Sequence, residues 1–148
     1  MAVRKEIVRT GWSEAGGVLT IAVCALLTLS LLSYRPDDVS AVRYPPASPP
    51  ANLVGPLGAW IAYAVFMTFG GAGYLFPLML FVWAGFLFFQ RTGRVWPKAL
   101  GLLIAMIGAA ALMSLFPEPW AGLAQRLETG TPGGWLGDVT GPSGLGRL

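Results

Sequence analysis

Polar and apolar residues in this chain separate into long blocks and do not alternate. Met1 to Gly16 is a polar lead in which Arg4, Lys5 and Arg9 stand against Glu6 and Glu14. Gly17 to Tyr34 carries no charge. Arg35 to Ala51 holds Pro36, Pro45, Pro46, Pro49 and Pro50, a composition that predicts an extended loop and no helix. Leu53 to Gln90 is again free of Asp, Glu, Lys and Arg. Arg91 to Lys98 is short and basic, Ala99 to Phe116 is a third uncharged run, and Pro117-Glu118-Pro119 closes it. Trp120 to Glu128 predicts a short surface helix, and Thr129 to Leu148 is a Gly- and Pro-rich tail.

A bilayer core about 30 Å thick takes about 20 apolar residues in a helix. The first and third uncharged runs therefore each predict one span, over 17–34 and 99–116. A cleaved signal peptide is the competing reading of the first run, because it too begins basic. Its apolar core would be shorter, and the one cleavage-like pattern, Val39-Ser40-Ala41, lies beyond Arg35, Asp37 and Asp38. An uncleaved span is the better reading. In the third run Gly101, Ala105 and Ala109 form a small-residue row that either receives another helix or faces lipid.

The central run organises the rest. One helix over it would be roughly 57 Å long, too much for a single crossing, yet no polar loop divides it. Gly70-Gly71-Ala72-Gly73, with Pro77 after it, marks a break. Charge then chooses the arrangement. Lys and Arg collect on the cytoplasmic side in short loops, and the lead and Arg91–Lys98 are the most basic non-membrane segments. If both are cytoplasmic, Leu53 to Gln90 crosses once. The expected fold is all-α: a polytopic membrane bundle with a cytoplasmic lead (1–16), spans over 17–34, 71–90 and 99–116, and an interfacial or re-entrant outer helix over 53–69. The tail, 117–148, is non-cytoplasmic. Trp12 and Trp96 fall at the inner interface, and Tyr34, Tyr74 and Trp120 at the outer one.

Composition agrees: 55% of residues are hydrophobic and 11% charged, against about 25% charged in a soluble domain. A net charge of +3 without a basic cluster gives no nucleic-acid surface. There is no histidine, and the single cysteine, Cys24, cannot form an internal disulfide. No span contains Asp, Glu, Lys or Arg, which argues against proton or ion coupling. Asp37 and Asp38 read as a solvated turn; a calcium site would need further acids that do not follow. No GxxxxGK[ST] loop is present, so no phosphate-loop ATPase resides here, and Gly55-Pro56-Leu57-Gly58 reads as a helix start.

The outer loop and hinge resemble the membrane domain of FtsK/SpoIIIE-type DNA translocases. Ser33-Tyr34-Arg35-Pro36-Asp37-Asp38-Val39-Ser40 is similar to a Ser-Tyr-x-Pro-x-Asp-Pro-Ser element, with Val39 in place of the proline. Asn52, Gly55, Gly58, Ala59, Ala62, Phe66, Phe69, Gly70 and Pro77 match a second element, in which Tyr63 replaces a common acid. Gly133-Gly134-Trp135-Leu136-Gly137 looks like the approach to the family's fourth span.

The resemblance implies structural roles for Tyr34, Pro36, Asp38, Ser40, Asn52, Gly55, Gly58, Ala59, Ala62, Phe69, Gly70 and Pro77. It implies no catalytic, cofactor or metal residue in this chain, with ATP and magnesium expected only in a motor that the chain lacks. The implied function is the membrane anchor of a hexameric ATP-driven DNA translocase at the division septum of the bacterial inner membrane, serving chromosome partition. Implied partners are the lipid bilayer, further copies of the chain and division-site membrane proteins, without direct contact to nucleic acid. The family continues past this point, so the chain reads as a fragment, a truncated gene product or a free-standing anchor. A small polytopic scaffold or transporter subunit is the alternative.

Overall fold

The computed structural model describes residues 2–89, 96–141 and 144, and all its regular elements there are helical. The basic loop expected at Arg91–Lys98 lies mostly outside the described residues. Helix α1 (Ala2–Leu32) takes in the polar lead as well as the first apolar run. It stops before Tyr34 because Pro36 disfavours helical backbone at the residue before it; Arg35 is extended at φ −132°, ψ 133°. Pro36–Asp38 then forms one 3-10 turn, a departure from the wholly extended loop expected. Proline suits that first turn, where its missing N–H has no partner to lose.

Helix α2 (Gly55–Phe69) starts on Pro56 and ends at Gly70, whose φ of 57° and ψ of −141° are closed to other residues. A 3-10 turn over Gly70–Tyr74 leads into α3 (Leu75–Phe89). After α4 (Trp96–Leu115) come a 3-10 turn at Glu118–Trp120, α5 (Ala121–Leu127) and α6 (Gly134–Thr140). Three stretches are long and apolar enough to cross a membrane: Ala15–Leu32, Gly55–Gly85 and Pro97–Leu115. The second is bent at Gly70, where the charge-free run is interrupted.

α1 packs chiefly along α3. Cys24 Sγ donates to the Pro77 carbonyl at 3.1 Å, while Leu31, near the end of α1, joins Tyr74 at the start of α3. The two therefore run antiparallel. α2 does not continue alongside. Its buried face, Gly58, Ala59, Ala62 and Phe66, meets Ser30, Leu31, Tyr34 and Val39, all at one end of α1. The eight residues from Gly58 to Phe66 advance about 12 Å, which would reach mid-α1 if the helices were aligned. Phe66 instead lies 5.2 Å from Tyr34 and 4.9 Å from Tyr74, so α2 crosses the end of the α1–α3 pair.

The core sits under that crossing: Leu31, Tyr34, Val39, Ala59, Ala62, Phe66 and Leu127 are all buried. Tyr34 is thus a core residue, only 6% exposed, and not the interfacial anchor its position suggested. Trp120 remains exposed.

In α4 the packed positions are Met106 and Ala110. Gly101 and Ala105 are exposed, and nothing approaches Gly101 within 4 Å of where a β-carbon would stand. The small-residue row therefore faces outward over its first half. α6 lies on the Ala110 face, backbone against backbone: a β-carbon on Gly137 would stand 2.6 Å from the Ala110 carbonyl oxygen. The turn before α6 docks on the hinge, where the Gly71 N–H donates to the Pro132 carbonyl at 2.7 Å.

Candidate functional site

The motif residues converge where α1, the proline loop and the start of α2 meet. The local sequence explains how. Once Pro36 turns the chain, Asp38 points back toward the loop's far end, where the backbone of Ala51 and Asn52 arrives before α2 begins. Asp38 accepts from the Ala51 N–H through Oδ1 at 2.9 Å and from the Asn52 N–H through Oδ2 at 2.8 Å. It is 5% exposed, so it is a buried clasp and not the solvated turn expected of it. Two N–H donors are what a buried carboxylate needs to offset its desolvation. Both oxygens are occupied, which also leaves a calcium ion little to hold.

Asn52 extends the network. Its Nδ2 donates to the Ser30 carbonyl at 2.8 Å, and its Oδ1 accepts from the Val54 N–H at 3.0 Å. The first bond fastens the loop to α1; the second shapes the entry to α2. Ser30 then donates through Oγ to the Gly58 carbonyl at 2.6 Å. Gly58 has no room for a side chain, since a β-carbon would stand 2.5 Å from Asn52 Oδ1 and Val54 Cβ. Its absence lets α2 close on the clasp, and Ala59 and Ala62 continue the tight face with no exposure at all.

Asp37, beside the clasp, behaves differently. It pairs with Arg43 at 2.8 Å, and Arg43 reaches Glu128 of the α5 end at 3.6 Å. All three side chains are substantially exposed, so this is a surface tie between loop and tail.

The structure thus brings together Tyr34, Pro36, Asp38, Asn52, Gly55, Gly58, Ala59 and Ala62. Ser40 is exposed in the loop with no hydrogen bond to the clasp. Phe69 is at the opposite end of α2, 6.0 Å from Phe76, next to Gly70. Pro77 contributes its carbonyl to the α1–α3 contact. Sequence reasoning missed Ser30 and Leu31, which it read only as parts of an apolar span; a hydroxyl residue late in that span was the available signal. Val39, noted there as a departure from proline, is fully buried in the core.

Chemically the cluster holds segments together. Among the described residues no three His, Cys, Asp or Glu side chains are grouped to hold a metal ion.

Comparison with known proteins shows the family. Residues 9–146 match the family model described as the 4TM region of DNA translocase FtsK/SpoIIIE. The chain is similar to DNA translocase FtsK of Vibrio vulnificus, 29% identical over 140 residues, covering 88% of this chain and 13% of that protein. It is also similar to DNA translocase FtsK of Pseudomonas putida, 29% identical over 143 residues, covering 86% of this chain and 16% of the relative. With the Rickettsia typhi protein of the same name it shares 30% over 92 residues, 60% of this chain and 12% of the relative. The chain therefore spans a small fraction of the length of the curated relatives it matches. No solved structure matches it.

Proposed function

Because this chain belongs to the family of the 4TM region of DNA translocase FtsK/SpoIIIE, we propose that it anchors an ATP-driven DNA motor to the bacterial inner membrane at the division septum. The motor would be hexameric and cytoplasmic, and would move chromosomal DNA while the anchor contacts division-site membrane proteins and other copies of itself. ATP, magnesium and DNA belong to the motor in this reading, and none is handled by the anchor.

The observation that carries the reading is the coincidence of the family match with the clasp. The match covers nearly the whole chain, and the quoted motif residues Asp38, Asn52 and Gly58 are knitted by hydrogen bonds and close packing into one end of the bundle. An end so tied together, outside the cytoplasm in the proposed topology, suits a part that is held by neighbours while force is applied from the other side. The proposed topology puts the lead and Arg91–Lys98 inside, the proline loop and tail outside, α2 at the outer interface and a span over 71–90.

The test is localisation in dividing cells of the host bacterium, using the product of the gene that carries this sequence, tagged fluorescently at its N-terminus. A band at midcell is expected. An even signal around the envelope at normal membrane levels would overturn the septal assignment.

A further inference from the structure

Two cavities adjoin at the end of α1, and they differ in chemistry. The first, about 340 Å³, is an apolar groove between α1 and α3, lined by Cys24, Thr28, Leu32, Pro77, Leu78 and Phe81. The second, about 520 Å³, lies just beyond the apolar stretch Ala15–Leu32 and includes Ser33, Arg35, Leu53 and Arg126. Leu32 lines both, so the groove and the polar pocket adjoin at the end of α1.

The charges there are unbalanced. Asp38 is occupied by two backbone N–H groups, and Asp37 and Glu128 face Arg43. Among the described residues neither Arg35 nor Arg126 has an ion-pair partner. Two guanidinium groups on one pocket favour a phosphate, which each can grip with paired N–H donors. We propose that the two adjoining sites together bind an anionic glycerophospholipid, with its phosphate at Arg35 and Arg126 and one acyl chain in the α1–α3 groove. Free phosphate would neutralise the arginines but leave the groove unused. A helix from a second copy would fill the groove but leave both cations without a counter-charge.

The chain, purified in neutral detergent, can be titrated by native mass spectrometry with palmitoyl-oleoyl phosphatidylglycerol, with phosphatidylcholine of the same chains, and with inorganic phosphate. Phosphatidylglycerol should bind more tightly than phosphatidylcholine. Arg35→Gln and Arg126→Gln, both at exposed positions, should each weaken it by about fivefold, and the pair together by more than about tenfold. Arg43→Gln removes the same charge outside the cleft and should change binding by less than about twofold on that scale. Equal binding of the two lipids, or loss with Arg43→Gln as large as with the cleft variants, would overturn the proposal. So would displacement of phosphatidylglycerol by inorganic phosphate mole for mole, which would show an anion site only. A dimer whose formation excludes phosphatidylglycerol would give the groove to a second copy and overturn it as well.

Discussion

Gly70 and Gly134 face each other backbone to backbone, and a β-carbon on either would collide with the backbone nitrogen of the other. Both have positive φ, 57° and 63°. Close approach and backbone angle therefore demand glycine at the same two positions, one in the hinge and one at the start of α6. Gly70→Ala and Gly134→Ala should each destabilise the chain by more than about 2 kcal/mol. Gly85 has open space around it, and Gly85→Ala should hold or raise stability by up to about 1 kcal/mol. Thermal unfolding in detergent compares the three. Equal behaviour of the Gly70 and Gly85 variants would remove the hinge contact from the account.

Adjacent acids should separate in the same assay. Asp38→Asn keeps the shape but turns an amide NH2 toward a backbone N–H that one carboxylate oxygen now satisfies. That should cost about 1–3 kcal/mol. Asp37→Asn loses an exposed pair and should cost less than about 1 kcal/mol. If the two variants melt together, Asp38 is not the clasp that its geometry indicates.

Ser30 tests how strongly the loop and α2 are tied to α1. Ser30→Ala removes its bond to the Gly58 carbonyl and should cost about 0.5–1.5 kcal/mol, the range for hydroxyl bonds between membrane helices. Asn52→Ala strips one bond to α1 and one to the α2 entry, and should cost more. Protease sensitivity of the proline loop, measured in proteoliposomes, should rise in the same order.

The proposed topology is open to chemical labelling. Cys24 donates to the Pro77 carbonyl, so Cys24→Ser is the background that keeps a donor there. In intact cells an impermeant thiol reagent should label a cysteine introduced at exposed Ser48 and not one at Thr92. The reverse pattern would invert the assignment of every loop.

Much of the helical layout was legible because charge-free runs and prolines report directly on burial and on chain direction. Gly70-Gly71 signalled the break, since an apolar run of that length has few other ways to end. The partners of the motif residues were not legible. Asp38 and Asn52 bind backbone N–H and carbonyl groups, and backbone groups leave no trace in residue identity. The face of α4 stayed open for a related reason: Gly101, Ala105 and Ala109 have the right spacing, but helix rotation about its axis is set by neighbours, here α6 on Ala110. Gly133 and Gly134 were read as an approach to a further span. Their contact with the hinge depends on a long-range return of the chain that no local pattern encodes.

That return sets an order of assembly. A chain emerging from the ribosome makes the bend at Gly70 well before Pro132, Gly133 and Gly134 exist to wedge it. Until the tail arrives, the Gly71 N–H lacks the Pro132 carbonyl and α2 has nothing from that side to fix its angle across α1 and α3. The first part of the chain can enter the bilayer as loosely joined helices. The Gly70 end is wedged only when the late segment folds back, so a stall or cut between α5 and α6 should leave inserted protein whose crossing helix is tied at its Gly58 end and loose at its Gly70 end.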